Sequence, residues 1–150
     1  MKKALILYNS RTGITRKFAE EINSFLSRHE IHSVVKSIDE YDAAELSDCQ
    51  YLFLGCWTHG LMIVLQHPDH KWTDFAGKLP DLSGKKIVLF TTYKLATGSM
   101  FRKMKNHLQY NGADLILELK SRNGHLSQQQ KKDLEEFTEI RSRSGEVVAV

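Results

Sequence analysis

Five short, nearly unbroken apolar runs, separated by stretches whose apolar residues recur at helical spacing, constrain the fold of this chain most. The first run, Ala4-Leu-Ile-Leu-Tyr8, is too continuous for a strand with one wet face and fits a strand covered on both sides. From Thr15 the period changes. Phe18, Ala19, Ile22, Phe25 and Leu26 share one helical face, with Arg, Lys and Glu opposite. Further strands are expected at Ser33–Ile38, at Tyr51–Leu54 ending in Gly55, at Lys86–Phe90 and at Asp114–Leu119. Between them the spacing predicts a weak helical turn near Ala43–Leu46 and a short helix carrying Trp72, Phe75 and Leu79. It also predicts a helix with Met100, Phe101, Met104 and Leu108, stopped by Asn111-Gly112, and a last one opened by Leu126-Ser127 and running through Leu134, Phe137 and Ile140. Such alternation predicts an α/β fold with right-handed crossovers and helices on both faces. Five strands fit a three-layer, doubly wound parallel sheet of order 2-1-3-4-5.

The length of 150 residues suits one domain, expected over 1–140, with residues 141–150 (Arg-Ser-Arg-Ser-Gly and onward) as a flexible tail. No apolar stretch approaches the ~20 residues of a membrane helix; the longest near-apolar run is Leu61–Leu65. Met1-Lys2-Lys3 leads directly into a strand and not into a secretory leader. Cys49 and Cys56, the two cysteines, point to a reducing cytoplasm and not to a disulfide framework. A net charge of +3, without basic runs interleaved with aromatics, calls for no nucleic acid.

In a sheet of this order, ligands sit beyond the carboxyl ends of the strands, at the switch point beside the first strand. The loop there is Asn9-Ser10-Arg11-Thr12-Gly13-Ile14-Thr15. The helix start offers free N–H groups and a partial positive charge. Ser10, Thr12 and Thr15 add hydroxyls, and Gly13 lets the backbone curl close to an anion. The loop lacks both the Gly-Lys-Ser/Thr end of a triphosphate site and the spaced glycines of a dinucleotide site. It therefore suits a terminal monophosphate.

Ile6-Leu-Tyr-Asn-Ser10-Arg-Thr-Gly13-Ile-Thr15, followed by Ala19 and Ile22, resembles the flavodoxin signature, and the strand and helix order extends the resemblance over nearly the whole chain. The resemblance implies flavin mononucleotide (FMN), with its phosphate in this loop and its ring between two further loops. The first, Gly55-Cys56-Trp57-Thr58-His59-Gly60-Leu61, is similar to the family's Gly-Cys-Ser-Thr-Trp-Gly-Asp loop, which implies that the peptide after Gly60 turns to meet the flavin ring. Here His59 stands at the usual aromatic position, Trp57 lies two places earlier, and Leu61 replaces the usual acid. Either Trp57 or His59 faces the ring. The second loop, Thr91-Thr92-Tyr93-Lys94-Leu-Ala-Thr97-Gly98, offers Tyr93 for stacking and backbone N–H groups near Thr92 and Gly98 for the ring's polar edge.

No acidic residue occurs between Asp48 and Asp69 or between Asp81 and Asp114, while Lys85, Lys86, Lys94, Arg102, Lys103 and Lys105 fall in the second stretch. Arg11, Arg16 and Lys17 add to the phosphate loop. Flavodoxins typically surround their flavin with acids, which makes the reduced flavin strongly reducing. Two unit charges ~8 Å apart interact by roughly 2 kcal/mol at an effective dielectric near 20. Exchanging several acids for bases should then raise the lower one-electron potential by on the order of 100 mV, less screening by salt.

The expected function is electron transfer through FMN between protein partners, the partner presenting an acidic docking face to this basic rim. The rival is a small FMN-dependent reductase acting directly on a quinone, a tetrapyrrole or another anionic acceptor, with Leu61–Leu65 as a candidate apolar wall. No side chain is expected to be catalytic in the carrier reading. Cys56 is a candidate reactive thiol beside the flavin, and His67-Pro-Asp-His70 reads as a polar loop before a metal pair, because Pro68 breaks the helix that would align both rings. A phosphoacceptor receiver domain needs acids after strand one, where this chain has Asn9 and Ser10.

Overall fold

The structure, a computed structural model, describes residues 2–61, 64–108, 112 and 114–138. The elements in chain order are β1 (Lys3–Asn9), α1 (Ile14–Arg28), β2 (His32–Ser37), α2 (Ala43–Asp48), β3 (Tyr51–Trp57), β4 (His59–Leu61) and β5 (Val64–His67). They continue with α3 (His70–Gly77), β6 (Lys86–Thr92), α4 (Met100–Leu108), β7 (Asp114–Ser121) and α5 (Gln128–Phe137). The main sheet runs β2-β1-β3-β6-β7, every pair parallel, which is the expected 2-1-3-4-5 order with β4 and β5 set aside in a small antiparallel sheet. Among the described residues no helix is long and apolar enough to cross a membrane.

The continuous apolar runs are covered on both faces because successive side chains point to opposite sides. Leu5, Leu7, Leu52, Leu54, Ile87 and Leu89 pack with Trp72 and Phe75 of α3 and Met100, Met104 and Leu108 of α4. Ala4, Ile6, Phe53, Val88 and Phe90 pack on the other face with Phe18, Ile22 and Leu26 of α1 and Leu134 of α5. Ser127 opens α5 with a capping box, its hydroxyl accepting from the Gln130 N–H and the Gln130 side chain accepting from the Ser127 N–H.

Two strands run further than their apolar cores suggest. Gly55, Cys56 and Trp57, expected in a loop, continue β3, because they pair with Tyr8 and Asn9 on one side and with Phe90, Thr91 and Thr92 on the other. Glycine is required there: a Cβ on Gly55 would lie 2.1 Å from the Phe90 ring. Thr91 and Thr92 likewise close β6 opposite Lys120 and Ser121. The expected last helix is followed as far as Phe137; Ile140, Asn111 and the tail 141–150 lie outside the described residues.

Candidate functional site

The carboxyl ends of β1, β3 and β6 open into a cleft of about 780 Å³, a size typical of small-molecule sites. Arg11, Thr12 and Ile14 border it on one side, Trp57, Thr58, His59, Gln66 and His67 on the second, and residues 92–96 with Arg122 on the third.

Gly13 shapes the first border. Its φ of +96° lies in the left-handed region, and nothing crowds the place a Cβ would take, so conformation alone demands glycine. Ser10 Oγ accepts the Gly13 N–H at 3.0 Å and the Arg16 N–H at 3.4 Å. Its own hydrogen remains a donor for an anion. The N–H groups of Ile14 and Thr15 open the helix and have no helical acceptor, so this end of α1 suits negative charge. Arg11, Thr12 and Ile14 line the cleft. Asn9 and Thr15 turn inward instead. Asn9 Nδ2 donates to Asp69 Oδ2 at 2.8 Å, and Thr15 Oγ1 lies 2.6 Å from Thr92 Oγ1, tying α1 to the end of β6.

On the second border Trp57 is half-buried, packing on the core below and lining the cleft above. The Arg11 guanidinium stands 5.2 Å from its ring centroid, and the His59 ring 4.9 Å from it. Thr58 is fixed by its N–H to the Thr92 carbonyl at 2.9 Å and by its hydroxyl to Thr91 at 2.8 Å. Gly60 lies in β4 between His59 and Leu61, where the pairing with β5 shifts register, so the backbone irregularity falls where the turning peptide is expected. Residues 62–63 of the candidate apolar wall lie outside the described residues.

Across the cleft Tyr93 is half-buried, its N–H donating to the Ser121 carbonyl at 3.2 Å. Arg122 and Lys120 place their cations 5.4 Å and 5.8 Å from its ring centroid. Lys94 is exposed on the same border. Thr97 and Gly98 do not reach the cleft; they line a neighbouring depression with Phe101 and Arg102. Gly98 acts one residue removed, since a Cβ there would lie 2.4 Å from Oε1 of Gln66, which does line the cleft.

The structure redistributes the charges. Lys86 begins β6 and Lys85 immediately precedes it, at the end of the sheet opposite the cleft, and Lys85 donates to the Ser47 and Cys49 carbonyls. Arg16 pairs with Glu20, Lys105 with Glu118, and Lys103 donates to the Gln66 carbonyl at 3.0 Å. The rim proper is Arg11, Lys94 and Arg122, and among the described residues no acid lines the cleft. Asp69, two residues beyond the cleft-lining His67, accepts from Asn9 Nδ2.

Cys56 is fully buried, and burial pushes its thiol up to about 12, which keeps it protonated at neutral pH and argues against the reactive role considered for it. The His67 ring lies 4.5 Å from that of His59, tilted by 43°, and its Nδ1 is 2.9 Å from the Pro68 carbonyl, while His70 is exposed at the start of α3. Gln66, His67, Leu95 and Arg122 complete the lining and carry no local signature. The apolar run of β7 stops at Leu119, yet its ladder continues to Ser121 and delivers Arg122 to the rim.

An all-parallel sheet of this order, with a helix start suited to an anion after its first strand and aromatic walls beyond its third and fourth, defines a nucleotide-cofactor domain of the doubly wound class. The flavodoxin family model matches residues 6–137, and the chain belongs to the flavodoxin family. It is thereby an FMN-binding electron-transfer domain. NADPH-dependent diflavin oxidoreductase 1 of Saccharomyces cerevisiae is 30% identical over 112 residues, covering 72% of this chain. The match spans 15% of that relative's length. Two-electron reduced Megasphaera elsdenii flavodoxin superposes with a TM-score of 0.72 at 23% identity, covering 89% of this chain and 96% of that one. Oxidised flavodoxin 1 from Bacillus cereus gives 0.67 at 23%, covering 94% and 98%. These two likenesses show the shared fold.

The site's chemistry fits FMN. A flat ring needs aromatic cover, a terminal phosphate needs N–H and hydroxyl donors with positive charge, and the cleft brings both sets together.

Proposed function

We propose that this domain passes electrons between protein partners through FMN held in the cleft, at a potential above that of acid-rimmed flavodoxins. In this reading Ser10, Arg11, Thr12, Gly13, Ile14 and Thr15, with Asn9 bracing the strand end, hold the phosphate. Trp57, Thr58, His59 and Gly60 bound one side of the ring, and Thr92, Tyr93 and Lys94 the other, with Thr97 and Gly98 supporting that loop. Bound FMN supplies one- and two-electron chemistry, and the protein supplies position and electrostatics. The partner would present an acidic face, and both would work in the cytoplasm. We assign residues 1–140 to this one domain.

The acid-free lining with Arg11, Lys94 and Arg122 at its edge supports this reading. Each cation favours the reduced, more negative cofactor and attracts an acidic surface. Electron exchange with an acidic redox protein should slow at least tenfold between low and high ionic strength, measured by stopped-flow absorbance. Acceleration by salt would contradict the basic rim. Potentiometry should place the lower one-electron potential on the order of 100 mV above that of an acid-rimmed flavodoxin.

One observation favours a second reading, direct reduction of a flat anionic acceptor. Leu95 is 54% exposed at the cleft edge, and the Arg122 Nη2 donates to its carbonyl at 3.4 Å. Apolar and cationic groups thus share one lip. Steady oxidation of a nicotinamide nucleotide with an anionic quinone, and no second protein, would establish the enzyme; its absence leaves the carrier.

A further inference from the structure

The loop between β7 and α5, residues 121–126, touches two borders of the cleft at once. On one side the Ser121 carbonyl accepts the Tyr93 N–H at 3.2 Å. There the Arg122 guanidinium stands 5.4 Å from the Tyr93 ring centroid, and its Nη2 donates to the Leu95 carbonyl at 3.4 Å. On the other side Gly124 lies against the first turn of α1. Its φ is +84°, and a Cβ there would come 3.1 Å from the Lys17 side chain and 3.2 Å from the Ile14 carbonyl oxygen. Within the loop, the buried Ser121 Oγ accepts the Gly124 N–H at 2.9 Å and the His125 N–H at 3.0 Å. The far end is fastened by Glu21, two turns into α1. Its carboxylate accepts the N–H of buried Leu126 and lies 3.1 Å from His125 Nδ1.

We propose that Glu21 is a positioning residue, which holds this loop on α1 so that Arg122 keeps its charge at the cleft edge beside Tyr93. This rests on the reading that FMN occupies the cleft. A loop arginine has several rotatable bonds and no strand ladder or helix to aim it. Here the backbone on either side of Arg122 is tied down, at Ser121 toward the ring loop and at Gly124, His125 and Leu126 toward α1. Without the Glu21 carboxylate the buried Leu126 N–H loses its acceptor, and the loop must shift to satisfy it. Arg122 then leaves the cleft edge more often, and its attraction for an electron added to the cofactor weakens.

Two electrostatic effects of opposite sign separate positioning from direct action. Glu21 is itself negative, so its deletion acting through space alone would make the cofactor easier to reduce. Losing the placement of Arg122 makes the cofactor harder to reduce. Deleting this acid should therefore disfavour the reduced cofactor, against the sign of its own charge.

The test is dye-mediated potentiometry of the FMN-loaded protein at low ionic strength, beside Arg122→Gln, Glu21→Ala, Glu21→Gln and the double variant Arg122→Gln/Glu21→Ala. Arg122→Gln should lower the equilibrium of the lower one-electron step by about tenfold, equivalent to about 59 mV. Glu21→Ala should lower it about threefold. Glu21→Gln keeps an oxygen for the Leu126 N–H and should not fall below the wild type; a value as low as that of Glu21→Ala would overturn the hydrogen-bonded latch. The double variant should fall no lower than Arg122→Gln, because Glu21 acts through Arg122. A rise or no change in Glu21→Ala, no change in Arg122→Gln, or an equal further loss in the double variant would each overturn the inference. Should Glu21→Ala not fold, Gly124→Ala alters no charge yet crowds the loop away from α1, and it should lower the equilibrium likewise; an unmoved value overturns the inference equally. A wild-type chain that takes up no FMN would overturn the cofactor reading itself, whereas bound FMN with one equilibrium across all variants overturns only the placement of Arg122.

Discussion

Gly13 needs φ of +96° in open space, so Gly13→Ala changes conformational cost and almost nothing else. A left-handed alanine costs about 1–2 kcal/mol, which should weaken FMN binding roughly tenfold in a fluorescence titration. Unchanged affinity would mean that the loop's shape does not set phosphate binding. Cys56 gives a pH prediction. Its folded state holds the thiol proton up to about 12 against an ordinary value of 9.0, because burial disfavours the thiolate. The folded chain binds that proton more tightly than the unfolded one, so its contribution is complete below pH 9 and falls as pH rises toward 12. The full effect is on the order of 4 kcal/mol. Urea midpoints should decline more steeply above pH 9 in the wild type than in Cys56→Ala; parallel declines would contradict the buried, protonated thiol. The residues legible in the sequence were those in contiguous loops, where Ser10, Gly13 and the helix start lie within a few positions. His67 and Arg122 were not, because only the hairpin and the extended β7 ladder carry them to the cleft.

At the scale of elements, the five main strands and the long helices were legible because period and burial agree along each of them. The β4–β5 hairpin was not, since residues 59–67 hold no Asn-Gly or Asp-Gly turn and no clean alternation. It is anchored through tertiary contacts instead. The Gln66 carbonyl accepts from Ser99 Oγ at 3.1 Å and from Lys103 Nζ, partners more than thirty positions away. Strand ends were misjudged for a related reason. Gly55 and Thr91 read as turn residues, yet the first is small because Phe90 fills its space, and the second donates its hydroxyl to the Cys56 carbonyl at 2.6 Å. The local rules do hold at α5, where the capping box satisfies orphan N–H groups. Ser127→Ala should lower stability by about 1 kcal/mol in urea unfolding, and Ser127→Thr should restore most of it. No loss in the alanine variant would show that α5 is held by Leu134 packing alone.

For the whole molecule, the sheet order and the direction of its strands do the sorting. Parallel strands place every carboxyl end on one side, which gathers Arg11, Trp57 and Tyr93 around one cleft and sends Lys85 and Lys86 to the opposite end. A count of lysines along the chain therefore overstated the basic rim, whose members are Arg11, Lys94 and Arg122. In the function proposed here, FMN sits in this cleft between the phosphate loop and the aromatic walls. Adding FMN to the purified, flavin-free protein while following flavin and tryptophan fluorescence tests it most directly. One equivalent should quench both signals at saturation, and Trp57→Ala should remove most of the tryptophan quenching, leaving the signal of buried Trp72. A chain that takes up no FMN, or whose quenching survives loss of Trp57, would contradict the claim.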